Sequence, residues 1–154
     1  MKAPRTKVAA LSLSAVALVA ILTHEGYRDT AYIPVAGDVP TIGFGTTGGV
    51  KPGDKTTPVK ALNRALTDVT KFEGALKQCV RVPLAQNEYD AFVSLSYNIG
   101  SGAFCRSTLV KRLNAGDYAG ACDAILMWDK FKGRPLAGLT ARRQAEAKQC
   151  RGEG

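Results

Sequence analysis

Glu25 is the first acidic residue of the chain and closes a long uncharged stretch; Gly26 and Tyr27 follow it. Sixteen residues further on comes Thr41-Ile42-Gly43-Phe44-Gly45, a strand-like segment punctuated by glycines. Between them lies a turn-rich stretch, Ala31 to Pro40, with Asp38 three residues before Thr41. One tight loop thus carries two carboxylates and a hydroxyl. Hydrolysis of a glycosidic bond needs such a set, because two carboxyl groups must flank one substrate atom. Glu25 is the candidate general acid. It must hold a proton near neutral pH, which partial burial would favour. Thr41 is the candidate to hold the attacking water by a hydrogen bond, and no metal or cofactor is required. Each residue also has a plainer reading. Glu25 could be a surface acid in the first turn of a helix, where the helix dipole favours negative charge. Gly37-Asp38 is ordinary turn chemistry, and a β-branched Thr41 suits any strand. Asp29, four residues after Glu25, is the rival acid and would share its face on a helix.

The elements that must position these groups can be read from spacing. Gly, Pro and Thr dominate residues 34–57, which reads as loop and short strand, with Thr41–Gly45 as one strand of a small hairpin. Thr57 before Pro58 is a helix-start signal. Val59, Leu62, Leu66, Val69, Phe72 and Leu76 then step by threes and fours along one apolar stripe. Gln86 to Ile99 carries Tyr89, Phe92, Val93 and Tyr97 and closes at Gly100. Shorter helices are expected around Leu109–Leu113 and Cys122–Asp129, with a break at Gly133-Arg134-Pro135 and a final helix from Leu139 to Cys150. The expected class is α+β, mostly helical with a small β element near the front.

With 154 residues, 45% of them hydrophobic, the chain suits one catalytic domain with a real core rather than two. A formal charge of +8 draws it towards polyanions such as anionic lipid or an acidic wall. No basic and aromatic residues alternate as a nucleic-acid surface would require, so nucleic acid is not an expected partner. Four cysteines, Cys79, Cys105, Cys122 and Cys150, lack the close spacing of a zinc or redox motif, and His24 is the single histidine. An even, widely spaced set reads as two disulfides in an oxidising compartment. The alternative is four buried thiols.

The first residues form their own unit. Lys2, Arg5 and Lys7 precede Val8–Thr23, sixteen residues without charge. As a helix this run would span roughly 24 Å, against a hydrocarbon core of about 30 Å. Its Ala and Ser content weakens membrane insertion further. Three readings stand beside one another. The run is a cleaved signal peptide with Ala15-Val16-Ala17 as the cleavage site, a buried helix, or an uncleaved weak anchor that later leaves the membrane and joins the fold.

From Glu25 onward the chain resembles the phage-type lysozymes, the endolysins of tailed phages. Glu25-Gly26 resembles that family's catalytic Glu-Gly, and Thr41-Ile42-Gly43-Phe44-Gly45-Thr46 its Thr-Ile-Gly-Tyr-Gly-His strand. Asp90-Ala91-Phe92-Val93-Ser94, Tyr97-Asn98-Ile99-Gly100, Ala103 to Leu109, Gly120 to Asp123 and Gly138 to Arg143 match later stretches in order. The resemblance implies a muramidase that cleaves peptidoglycan between N-acetylmuramic acid and N-acetylglucosamine. It also implies bridges Cys79–Cys105 and Cys122–Cys150. The family places its second acid nine residues after the glutamate, but Pro34 stands there. Thr41 lies one residue beyond the family's spacing, so a relocated acid is expected, with Asp38 as the substitute.

Residues 1–23 resemble the signal-arrest-release segments of some endolysins, and residues 24–154 then form the lysozyme-like domain. Such enzymes are phage-encoded, tethered inactive at the host inner membrane, and released into the periplasm when a holin depolarises it. The holin is a functional partner rather than a bound one, and the enzyme is expected to be a monomer. Two other functions compete: a lytic transglycosylase using Glu25 alone on the same bond, and a cationic wall- or membrane-binding protein without catalysis.

Overall fold

A computed structural model describes residues 2–153. Contacts group the chain into two compact units, Leu18–Lys71 on one hand and Met1–Ala17 with Phe72–Gly154 on the other. Two helices, α1 (Ala15–Glu25) and α2 (Pro58–Cys79), contribute residues to both.

The unit Leu18–Lys71 holds the end of α1, strands β1 (Arg28–Tyr32) and β2 (Thr41–Gly43), and the front of α2. β1 and β2 are antiparallel, with Arg28 opposite Gly43, Tyr32 opposite Thr41 and an irregularity between. Thr30 bridges to Lys55 on the far side of β1, with Ala31 N–H donating to Asp54 O at 2.8 Å and Thr56 N–H to Asp29 O at 2.8 Å. After β2 the chain doubles back at once. Ile42 and Thr46 exchange both backbone hydrogen bonds, at 2.9 and 3.0 Å, around Gly43-Phe44-Gly45.

The front of α2 does not bury the stripe its large residues suggest. Val59 is 71% exposed, and Leu62 and Leu66 are exposed too, while Ala61, Ala65 and Val69 are buried. The reason is closeness rather than hydrophobicity. A Cβ added at Gly43 would lie 2.9 Å from the Ala61 Cβ, so β2 sits against the helix at a distance only small residues allow.

The second unit is built around α3 (Gln86–Ile99), whose residues Glu88 to Tyr97 are all buried. A short α4 (Ser101–Cys105), α5 (Thr108–Asn114) and α6 (Tyr118–Ala124) follow, with a 3-10 turn at Ile125–Met127. Strands β3 (Lys130–Phe131) and β4 (Arg134–Pro135) pair where the sequence reads only as a break. Lys132 and Gly133 both take positive φ, 50° and 78°, as the tightest hairpin turn demands. The last helix, α7 (Ala137–Cys150), packs on α3. It brings the fully buried Arg143 guanidinium to Glu146 Oε1 at 3.0 Å and to Asn98 Oδ1 at 2.8 Å, while the Ser94 hydroxyl donates to Glu146 Oε1 at 2.7 Å. A buried charge persists only when paired in this manner. Disulfides join Cys79 to Cys105, and Cys122 to Cys150.

Candidate active site

Glu25 is the last residue of α1, not a residue of a first turn. The helix stops there because Gly26 adopts φ +68° and donates its N–H back to Leu22 O at 2.9 Å, a left-handed helix cap that suits glycine. Tyr27 turns the chain into β1, and its ring lies 5.4 Å from that of Phe44 at the tip of the Ile42–Thr46 hairpin.

That tip is what meets the acid. Gly45 has φ +82°, and a Cβ there would fall 2.6 Å from Glu25 Oε2, 3.1 Å from Cδ and 3.3 Å from Cγ. The backbone of Gly45 therefore lies where any side chain would strike the carboxylate. Two bonds from α2 hold the hairpin in place. The buried Thr46 hydroxyl donates to Asp68 Oδ2 at 2.7 Å, and Arg64 Nη2 donates to Gly48 O at 2.7 Å. Glu25 itself is half-buried.

Thr41 opens β2 and is buried, its hydroxyl donating to Val39 O at 3.2 Å. The hydroxyl oxygen can still accept a hydrogen bond while donating one. Asp38 lies in an exposed turn closed by its own N–H on Val35 O at 2.9 Å. Its Oδ1 accepts from Val39 N–H at 2.8 Å, so Asp38 and Thr41 both bond to the backbone of Val39. Asp29 does not share a helical face with Glu25, because α1 has already ended. It lies on β1 and its Oδ1 accepts from the Thr30 hydroxyl at 3.1 Å.

Sequence reasoning missed Gly45 as the residue against the acid, and Asp68 and Arg64 as the supports of the hairpin. The glycine pair flanking Phe44 was the available signal for close backbone approach. Asp68 and Arg64 gave none, since charged residues on a helix ordinarily face solvent.

A helix ending in a half-buried glutamate against a glycine-tipped hairpin is an arrangement that suits a lysozyme-type glycoside hydrolase. Comparison with known proteins agrees. Residues 22–146 match the family model described as Phage lysozyme. An endolysin of Acyrthosiphon pisum secondary endosymbiont phage 1 is 43% identical over 140 residues, covering 88% of this chain and 95% of that protein. The SAR-endolysin of Pseudomonas phage phiKMV is 42% identical over 140 residues, covering 88% and 86%. The solved muramidase domain of SpmX from Asticaccaulis excentricus superposes with a TM-score of 0.81 at 31% identity, covering 90% of this chain and 97% of that one. The chain belongs to the phage lysozyme family, and it is a peptidoglycan-lysing glycoside hydrolase.

Proposed function

We propose that Glu25 is the general acid, Asp38 the second carboxylate and Thr41 the residue that holds the water. The bond cleaved joins N-acetylmuramic acid to N-acetylglucosamine. Glu25 delivers its proton to the glycosidic oxygen as the C–O bond breaks. Asp38 supplies the negative charge that the oxocarbenium-like carbon needs, and Thr41 offers its hydroxyl oxygen to the incoming water. The observation that carries this reading is the approach of Gly45 to Glu25, since the fold leaves no room for a side chain at residue 45 and so reserves that space for the carboxylate. The test is Glu25→Gln, which keeps shape but has no proton to give. Correctly folded mutant retaining more than a few per cent of wild-type turnover on isolated peptidoglycan would remove Glu25 from the acid role. Mass analysis of the released sugars separates the rival reaction, because hydrolysis leaves a reducing end and a transglycosylase an anhydro end.

The proposal extends to location. Residues 1–23 act as an uncleaved signal-arrest-release segment ahead of the domain 24–154, holding the enzyme at the host inner membrane until a holin depolarises it. The similarity to a SAR-endolysin and the weak apolarity of Val8–Thr23 support this. Among the described residues no helix is long and apolar enough to cross a membrane; α1 has 11 residues. On this reading the segment would span only when residues ahead of Ala15 join the helix, and the fold described above would be that of the released enzyme.

A further inference from the structure

Residues 5–14 are held by three carboxylates that the catalytic chemistry does not use. Thr6 and Leu84 exchange backbone hydrogen bonds at 2.8 and 2.9 Å. Leu13 N–H donates to Glu73 Oε1 at 2.6 Å. Ser14 donates twice to Asp90, from N–H to Oδ1 at 3.0 Å and from its hydroxyl to Oδ2 at 2.7 Å. The Ser14 hydroxyl oxygen in turn accepts Ala17 N–H at 3.2 Å, which places the start of α1. Arg5 lies 3.5 Å from the ring centre of Tyr118 and places Nη2 2.7 Å from Glu88 Oε1.

Glu88 and Asp90 are each only 5% exposed, on a helix that buries its whole middle. Buried acids of this kind need partners. Part of their bonding is internal: Glu88 Oε2 takes Ala85 N–H, Asp90 Oδ1 takes the Gln86 amide, and Glu73 Oε1 takes the Tyr89 hydroxyl. Burial, with the Glu73 bond, pushes the Tyr89 phenol well above its ordinary range, so it remains a donor. The rest of their bonding is filled by the N-terminal segment. On the tethering reading the same segment would take two conformations. In a membrane helix the N–H groups of Leu13 and Ser14 would be satisfied by carbonyls four residues back. Here the helix starts only at Ala15, and those two N–H groups are carried by Glu73 and Asp90.

We propose that Glu73, Glu88 and Asp90 form a receptor on the enzyme body that captures residues 5–14 as they leave the membrane, and that this capture drives release to completion. The inference rests on the tethering reading above. Carboxylates suit the task because charge-assisted bonds to N–H and guanidinium are stronger than the neutral bonds they replace.

The test uses the full-length chain expressed in a Gram-negative host and fractionated before and after an uncoupler. Arg5→Glu should slow transfer to the soluble fraction about tenfold, and Arg5→Glu with Glu88→Arg should restore it to within twofold. Both variants carry the same N-terminal charge, so a membrane effect of that charge cancels. Single and double variants that behave alike would overturn the receptor while leaving tethering intact. Wild-type protein that is soluble before the uncoupler would overturn both. Purified protein gives an independent check by hydrogen exchange. Glu73→Ala with Asp90→Ala should lower protection at the Leu13 and Ser14 amides at least tenfold and leave α7 protected. Unchanged protection at those amides refutes the receptor; should that variant fail to fold, the charge-swap pair still decides.

Discussion

Replacing Gly45 with alanine is the sharpest probe of the site, because two costs fall on different observables. A Cβ at residue 45 would lie 2.6 Å from Glu25 Oε2, about 0.8 Å inside the 3.4 Å at which ordinary contact begins. The struck atom is the terminal oxygen of a flexible side chain rather than backbone, so the carboxylate shifts and the fold survives. On the proposed assignment of Glu25 as the acid, the catalytic geometry does not survive. Misplacing a reacting group by about 1 Å costs on the order of 10²-fold in rate, or roughly 2.7 kcal/mol of barrier. A second cost is backbone strain, since φ is +82° and a residue with a Cβ pays about 1–2 kcal/mol there. Gly53 supplies the control. Its φ is +87°, and a Cβ there meets nothing within 4 Å. Gly45→Ala and Gly53→Ala should therefore lose similar stability in denaturant melts. On isolated peptidoglycan, kcat of Gly45→Ala should fall about 30- to 100-fold, while Gly53→Ala stays near wild type. Activity of Gly45→Ala within threefold of Gly53→Ala would refute the claim that the hairpin tip positions the acid.

Asp38→Asn should lower turnover at least tenfold more than Asp29→Asn (an order-of-magnitude expectation for a reacting carboxylate); the reverse ranking on purified variants would place the second acid on β1. Breaking either Cys79–Cys105 or Cys122–Cys150, which close loops of 26 and 28 residues, should cost about 2–4 kcal/mol in unfolding experiments under non-reducing conditions; no loss would leave the bridges without a stabilising role. Leu at Ser12, Ser14 and Ala17 together should trap the enzyme in the membrane, inactive, after an uncoupler; lysis on the normal schedule would speak for an ordinary signal peptide.

What the sequence revealed and what it hid follow one division. Features set by neighbours in the chain were legible. Thr57 and Pro58 announced α2, and Gly100 closed α3. Features set by distant approach were not. Val59, Leu62 and Leu66 looked like a core stripe because size was read as burial, but β2 comes so close at Gly43 that Ala61 and Ala65 take the inner face. Asp29 looked like a helical neighbour of Glu25 because nothing in the spacing shows that Gly26 ends α1 one residue after the acid. The role of Gly45 depends on two segments meeting across a turn, which no local pattern encodes. Gly133-Arg134-Pro135 did read as a break, but strands of two residues are too short to show alternation.

On the proposed reading the N-terminal run has to satisfy two solvents with one composition, and its residues divide the labour. Apolar Val8–Thr23 favours the bilayer only weakly, so other forces decide where it rests. On the proposed reading one force is electrical. Lys2, Arg5 and Lys7 would lie on the negative, cytoplasmic side, and pulling each outward costs about 2.3 kcal/mol per 100 mV. Three such charges make roughly 7 kcal/mol per 100 mV, comparable with the whole stability of a small domain. The opposing force is chemical. It consists of the carboxylate bonds to Leu13 and Ser14 and the seat of Arg5 between Glu88 and Tyr118. Arg5 enters both terms, as a charge the potential holds inside and as a ligand the body binds outside. Collapse of the potential removes the first term and leaves the second intact. A run only slightly more apolar would stay in the membrane without a potential, and one lacking Ser14 would have less to bind outside it. On that reading, marginal hydrophobicity is what allows a change in voltage to be read as a change in fold.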